Sequence, residues 1–176
     1  QTDLNYPHVN GIPRLREHIA ALYEGTGPQN VLVTVGAIEA NYITMRTLLQ
    51  PGEEIVIMLP NYMQIWGIAR NHGLRVRAFH LREDRGWALD AEELNEAVTA
   101  QTRLIAVCNP NNPTGAVVQK DELHKIADLA VEKNLLVITD EVYEHLRYDG
   151  NPHISIASLN EDIKARTVTI NSTSKT

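Results

Sequence analysis

The sequence predicts an α/β domain with a mainly parallel central sheet, and three observations carry that expectation. Short apolar runs alternate with stretches of helical periodicity along the chain, which is the pattern of strands joined by crossover helices. Several of the runs are apolar without alternation, as expected of strands covered on both faces. The chain of 176 residues also has the length of one domain.

In chain order, residues 14–23 place Leu15, Ile19 and Leu22 on one helical face. Gly and Pro at 25–28 punctuate the join, and a strand is expected over 31–35. Residues 37–49 repeat the helical period with Ile38, Tyr42, Met45 and Leu49, so both helices should be amphipathic. Pro51 and Gly52 lead into a strand over 54–59, and a further strand is expected over 75–81. Asp90, followed three residues later by Glu93, resembles a capping arrangement and opens a helix running to about Thr99. A strand over 103–108 precedes a join at 110–115 rich in Pro and Gly. A helix over 120–132 turns Leu123, Ile126, Ala127 and Ala130 inward, and strands over 135–139 and 167–170 complete the set. No internal repeat, low-complexity tract or linker interrupts this order.

Composition narrows the function classes. With 22 acidic against 16 basic side chains and a formal net charge of −6, the surface argues against a nucleic-acid partner, because phosphate backbones repel it. The arginines between 70 and 85 are interleaved with Glu83, Asp84 and apolar residues, which reads as a solvated strand and loop. Cys108 is the single cysteine, so no internal disulfide is expected and the cytoplasm is the default compartment. No run of 18 apolar residues and no signal-peptide pattern occurs, so no membrane association is expected. The chain begins with glutamine and stops one residue beyond Lys175, which suggests a piece of something longer.

Ligands of open α/β sheets bind beyond the carboxyl ends of the strands, where loops and helix N-termini converge. Five of the six expected strand ends deliver a distinctive group there: Gly36, Tyr62, Asn112, Asp140, and Ser172 with Lys175. Gly36 and Ala37 would open a helix whose free N–H groups and dipole attract a phosphate; Glu39 would repel one unless it points away. Tyr62 could offer a flat face to a ring, with Trp66 as a competitor. In residues 109–115 two prolines and a glycine constrain a loop that can hold the Asn112 amide rigidly. Asp140 ends a buried strand and needs a partner to offset its desolvation. Glu141 should face the opposite side, and Tyr143 can return to the Asp140 side if the chain turns. The seven histidines show no ligand spacing near these carboxylates, so no metal is expected.

Together these residues resemble the class I and II aminotransferases, the fold type I group of pyridoxal phosphate enzymes. Asn112, Pro113, Thr114 and Gly115 match that family's Asn-Pro-Thr-Gly stretch, Asp140 to Tyr143 its Asp-x-x-Tyr element, and Ser172 to Lys175 its Ser-x-Ser-Lys. Order and spacing agree over essentially the whole chain. The resemblance implies a three-layer α/β/α architecture, with residues 1–176 forming most of the large domain that binds pyridoxal 5'-phosphate and the small C-terminal domain lying outside them. It implies that Lys175 forms the Schiff base and moves the proton between substrate Cα and the cofactor, and that Asp140 keeps the pyridine nitrogen protonated. Asn112 and Tyr143 would bond the ring's phenolic oxygen and Tyr62 would stack on the ring. Ser172, with the backbone N–H groups of Ala37 and Ile38 at the Gly36 corner, would hold the phosphate. Tyr6 would reach the phosphate of a neighbouring subunit, which implies a homodimer. The implied reaction moves an amino group between an amino acid and a 2-oxo acid; a lyase, cyclase or synthase using the same cofactor, or a non-catalytic α/β binding module, are the alternatives.

Overall fold

Residues 54–59 are apolar but for the leading Glu54 and form strand β1 (Glu54–Leu59), buried along almost its whole length at the centre of a six-stranded sheet. The computed structural model describes Tyr6, residues 8–148 and residues 150–175. Its other strands are β2 (Arg75–Arg82), β3 (Ala88–Leu89), β4 (Thr102–Cys108), β5 (Leu136–Asp140) and β6 (Thr167–Ile170). They lie in the order β3-β2-β1-β4-β5-β6. Only β3 runs antiparallel to its neighbour; every other pairing is parallel. The chain therefore reverses its direction of travel across the sheet between β1 and β4, and a crevice at the carboxyl ends follows from that topology.

Alternation along each strand sorts the side chains into two layers. Ile55, Ile57, Leu104, Ala106, Ile138 and Ile170 point to one face, against Met45 and Leu49 of the α2 segment and Ile65 and Ala69 of α3. Helix α2 spans Gly36–Leu48 and α3 spans Gln64–Asn71. Val56, Met58, Phe79, Ile105, Val107 and Val137 point to the other face, against helices α4 (Ala91–Ala97), α5 (Lys120–Glu132) and α6 (Glu161–Lys164). The three-layer arrangement is as expected.

The sequence-derived elements are confirmed at 54–59, 120–132 and 167–170 and shifted by a residue or so at the other parallel strands. Asp90 caps α4 as expected, its side chain accepting the Glu93 N–H at 3.1 Å and the Arg82 guanidinium at 2.9 Å. Arg82 also reaches Glu93 at 3.2 Å, so this arginine of the 70–85 cluster is spent on ion pairs.

Three expectations fail, each for a physical reason. Residues 31–35 form no strand, and the chain bends at Val35. Val33 donates to the Asn10 carbonyl at 3.0 Å, but a β-ladder needs a neighbour supplying a row of donors and acceptors, and none of the described residues does so. Helix α1 (Pro13–Ala20) turns Arg16 and Ala20 inward, leaving Leu15 exposed and Leu22, just past its end, 72% exposed. Arg16 is tolerated there because its guanidinium donates to the Pro28 and Val31 carbonyls. Helix α2 buries Met45, with Leu49 just beyond its end, but leaves Ile38 and Tyr42 exposed. Helices α3 and α6 and the short β3 were not anticipated; α6 is a single turn capped by Asn160, which accepts the Ile163 N–H at 3.0 Å.

Two substitutions test this packing. Ile138→Ala, in the fully buried centre of β5, should cost about 2–5 kcal/mol of unfolding free energy. Asp90→Ala, which removes the α4 cap, should cost about 0.5–2 kcal/mol; urea denaturation followed by circular dichroism measures both.

Candidate functional site

Parallel registry sets the site. Cys108 of β4 lies beside Asp140 of β5, and Asp140 lies beside Ile170 of β6, so the three loops that follow leave the sheet at one level. A cavity of about 360 Å³ opens there, lined among others by Gly36, Ala37, Ile38, Tyr62, Asn112, Asp140, Tyr143 and Lys175. Its size falls within the range of small-molecule sites, roughly 300–1,000 Å³.

The α2 N-terminus forms one wall. Gly36 takes φ +77°, a left-handed conformation that suits glycine, and open space surrounds the position where a Cβ would stand. No side chain caps the first helical amides. Glu39 is not among the lining residues, but its carboxylate accepts the N–H of Val35, a lining residue next to Gly36, at 2.5 Å.

The loop over 109–115 is fixed from within. Asn109 accepts the Val118 N–H at 2.9 Å. Asn111 donates to the Pro60 carbonyl at 3.0 Å and accepts the Thr114 hydroxyl at 2.7 Å. These bonds hold the next residue in place: Asn112 donates its amide to the Tyr143 hydroxyl at 3.1 Å. The chain does turn after β5, so Tyr143 returns to the Asp140 side as expected, and the Lys175 ammonium sits 6.0 Å from the centre of its ring. A 3₁₀ turn over Thr173–Lys175 carries Ser174 and Lys175 to the cavity.

Asp140 lies at the cavity floor. Its carboxylate receives the Val142 N–H at 3.4 Å and the Asn41 amide at 3.3 Å. Burial pushes its pKa above the ordinary carboxylate value, the two hydrogen bonds oppose the rise, and Glu141 adds to it. Burial likewise pushes the neighbouring Cys108 thiol up to about 12, with Asp140 contributing, so that thiol is no nucleophile at neutral pH.

Glu141 faces away from Asp140 as expected. It is buried and accepts from Thr139 at 3.0 Å, Ser155 at 2.8 Å and His153 at 2.9 Å. Sequence spacing missed the last contact: His153 folds back against these carboxylates, and Glu141, Glu144 and His153 bring their ligand atoms within 4.8 Å of one another. Both Glu141 oxygens already hold partners, so the cluster reads as a clasp between β5 and the segment that follows it.

Other placements differ in part. Ser172 stands one hydroxyl behind the cavity wall, its Oγ 2.8 Å from that of Ser174, so the lining serine is Ser174. Trp66 packs against the core below α3 and leaves the lining position to Tyr62. Tyr6 is fully exposed and joins no wall of this cavity. Asn41, Cys108, Gln64 and Val142 were missed. Asn41 lay within the helix pattern, where a polar residue three positions after Ile38 and four before Met45 was the available signal.

Comparisons with known proteins point to one family. The family model described as aminotransferase class I and II matches residues 1–176. The chain is 42% identical over 179 residues to a probable N-succinyldiaminopimelate aminotransferase of Mycobacterium tuberculosis, covering 97% of the chain and 44% of that protein. It is 32% identical to an aspartate aminotransferase of Bacillus sp., covering 97% and 45% respectively. The solved N-succinyldiaminopimelate aminotransferase of M. tuberculosis superposes with a TM-score of 0.91 at 41% identity, over 98% of this chain and 46% of that one. Aspartate aminotransferase from Thermus thermophilus with maleate gives 0.91 at 33% identity, over 97% and 45%. The chain thus spans about half the length of the relatives it matches.

The raised Asp140 pKa has a definite sign in stability. The native state holds this proton more tightly than the unfolded chain, so stability falls as pH rises from the unfolded carboxyl value through the folded one. Asp140→Asn should therefore raise the melting temperature of the ligand-free protein at neutral pH, with the gap closing near ~pH 4, where the unfolded carboxyl begins to protonate. Scanning calorimetry across that range checks it.

Proposed function

The chain belongs to the class I and II aminotransferases, and on that premise we propose that it forms most of the cofactor-binding large domain of a pyridoxal phosphate enzyme moving an amino group between an amino acid and a 2-oxo acid. The observation that carries this reading is that Asp140, the Asn112–Tyr143 pair, Lys175 and the uncapped α2 N-terminus line one cavity.

The donor set fits pyridoxal 5'-phosphate part by part. Open amides at Ala37 and Ile38, beside the bare Gly36 corner, suit a phosphate. Ser174 adds a hydroxyl from the cavity wall, steadied by Ser172. The Asn112 amide and Tyr143 hydroxyl suit a phenolic oxygen, and Tyr62 offers an aromatic face. A buried carboxyl whose pKa is raised by desolvation gains most from a cationic partner, which a protonated ring nitrogen supplies.

When bound, the cofactor supplies an electron sink for negative charge developing at the substrate Cα. This chain's residues then have separate tasks. Asp140 holds the proton on the ring nitrogen. Lys175 would supply the amine that holds the cofactor aldehyde and, once the substrate amine has displaced it, its free Nζ would move the proton at the substrate Cα. Asn112 and Tyr143 fix the ring's rotation, and the α2 amides anchor the phosphate end.

The functional unit is a homodimer. Tyr6 and the apolar side chains Leu15, Leu22, Ile38 and Tyr42 are exposed on this chain, and Tyr6 is assigned to the phosphate of the partner subunit. Such a surface favours burial against another copy. The cytoplasm is the proposed compartment, consistent with a single cysteine that is buried. Among the described residues no helix is long and apolar enough to cross a membrane.

In the full-length protein, Lys175→Ala should abolish transamination, and borohydride should fix cofactor to wild type and not to the variant. Normal turnover by Lys175→Ala refutes the assignment. Asp140→Ala should lower kcat by about a hundred- to a thousandfold, as for other buried electrostatic groups, while borohydride still labels Lys175. Stopped-flow absorbance with amino acid substrates measures both variants.

A further inference from the structure

The inward face of α2 carries one side chain that packing alone does not explain. Asn41 is fully buried, one helical turn before Met45, which is also fully buried and apolar. Its amide Nδ2 reaches the Asp140 carboxylate at 3.3 Å, while its Oδ1 is buried without a hydrogen-bond partner. A buried carbonyl left unpaired works against folding, and an apolar side chain of the same shape avoids that cost. The favourable half of the Asn41 amide is the half directed at Asp140.

We propose that Asn41 is a positioning residue for Asp140, setting the rotation of the carboxylate that faces the cofactor's ring nitrogen. This rests on the reading of Asp140 given above. Two donors reach the carboxylate, one on each oxygen: the Val142 N–H on Oδ1 and Asn41 on Oδ2. One belongs to the backbone beyond β5 and the other to a helix on the opposite side of the cavity floor. Together they fix the carboxylate plane, which a single donor would leave free to rotate about the Cβ–Cγ bond. The amide is suited to the task because it donates to the carboxylate without adding charge.

The other titratable groups near Asp140 are Cys108 from β4, Glu141 next along the chain, and Tyr143 and Lys175 on the cavity wall. Burial and Glu141 disfavour the ionised carboxylate. Asn41 opposes them by stabilising it. Its loss should make the carboxyl hold its proton to higher pH.

The test compares wild type with Asn41→Leu in the full-length protein. Carbon-13 NMR of labelled aspartate follows the Asp140 carboxyl in the cofactor-free form, assigned by its disappearance in Asp140→Asn. The midpoint should move to higher pH in Asn41→Leu, and the melting temperature should fall more steeply between acid and neutral pH than in wild type. In the loaded enzyme kcat should fall about ten- to a hundredfold, the effect of losing a hydrogen bond to a charged group, with KM little changed. An unmoved Asp140 midpoint in a folded Asn41→Leu protein overturns the proposal. If that variant does not fold, Asn41→Ala, which removes the same donor without adding bulk or charge, must raise the midpoint; an unmoved value is equally fatal. Absence of borohydride-fixed cofactor in wild type overturns the cofactor reading, and this inference with it. Normal fixation in wild type with unchanged Asp140 titration overturns this inference alone.

Discussion

An ionisable carboxyl placed at the end of a buried parallel strand has no water to stabilise its charge and must find donors or a cation in the protein or its ligand. Asp140 is in that position, and much of the surrounding structure answers to it. Asn41 comes from a helix on one side, the Val142 N–H from the turn that follows β5, and Tyr143 is carried by that same turn to the cavity rim. Glu141, one residue further, is satisfied separately by Thr139, Ser155 and His153. Two adjacent carboxylates thus face opposite ways, one tied off within the fold and one left partly unanswered at the cavity.

The rest of the site follows from registry. Parallel strands leave their carboxyl ends on one edge, and pairing of Cys108 with Asp140 and of Asp140 with Ile170 brings three loops out side by side. Residues 31 and 99 positions apart along the chain then share a few ångströms of space, as the Asn112–Tyr143 and Asn41–Asp140 bonds record. The reversal of sheet order between β1 and β4 opens the edge. Rigid loop bonding around Asn109 and Asn111 keeps Asn112 aimed inward.

Much of this was legible along the chain because the governing preferences are local. The apolar runs of β1, β4, β5 and β6 announce strands covered on both faces. The spacing of Leu123, Ile126, Ala127 and Ala130 announces the inner face of α5, and all four are buried. Asp90 with Glu93 announces the α4 start. Asn112, Asp140, Tyr143 and Lys175 stand out as polar residues just beyond those strands, and the structure brings all four to one cavity.

What the sequence by itself determined is therefore the five parallel strands, the helices α1, α2, α4 and α5 and the identity of the groups at the strand ends, since propensity, periodicity and capping act over a few residues. Tertiary structure decided which faces are covered and which distant groups meet. Leu15 and Leu22 keep a helical period yet stay exposed, while Arg16 is buried because carbonyls from another segment receive its guanidinium. Residues 31–35 have strand composition and no strand beside them among the described residues. Asn41 against Asp140, Ser174 in front of Ser172 and His153 against Glu141 depend on contacts between elements. A burial or a hydrogen bond of that kind is a property of two segments at once, and no window along one of them contains it.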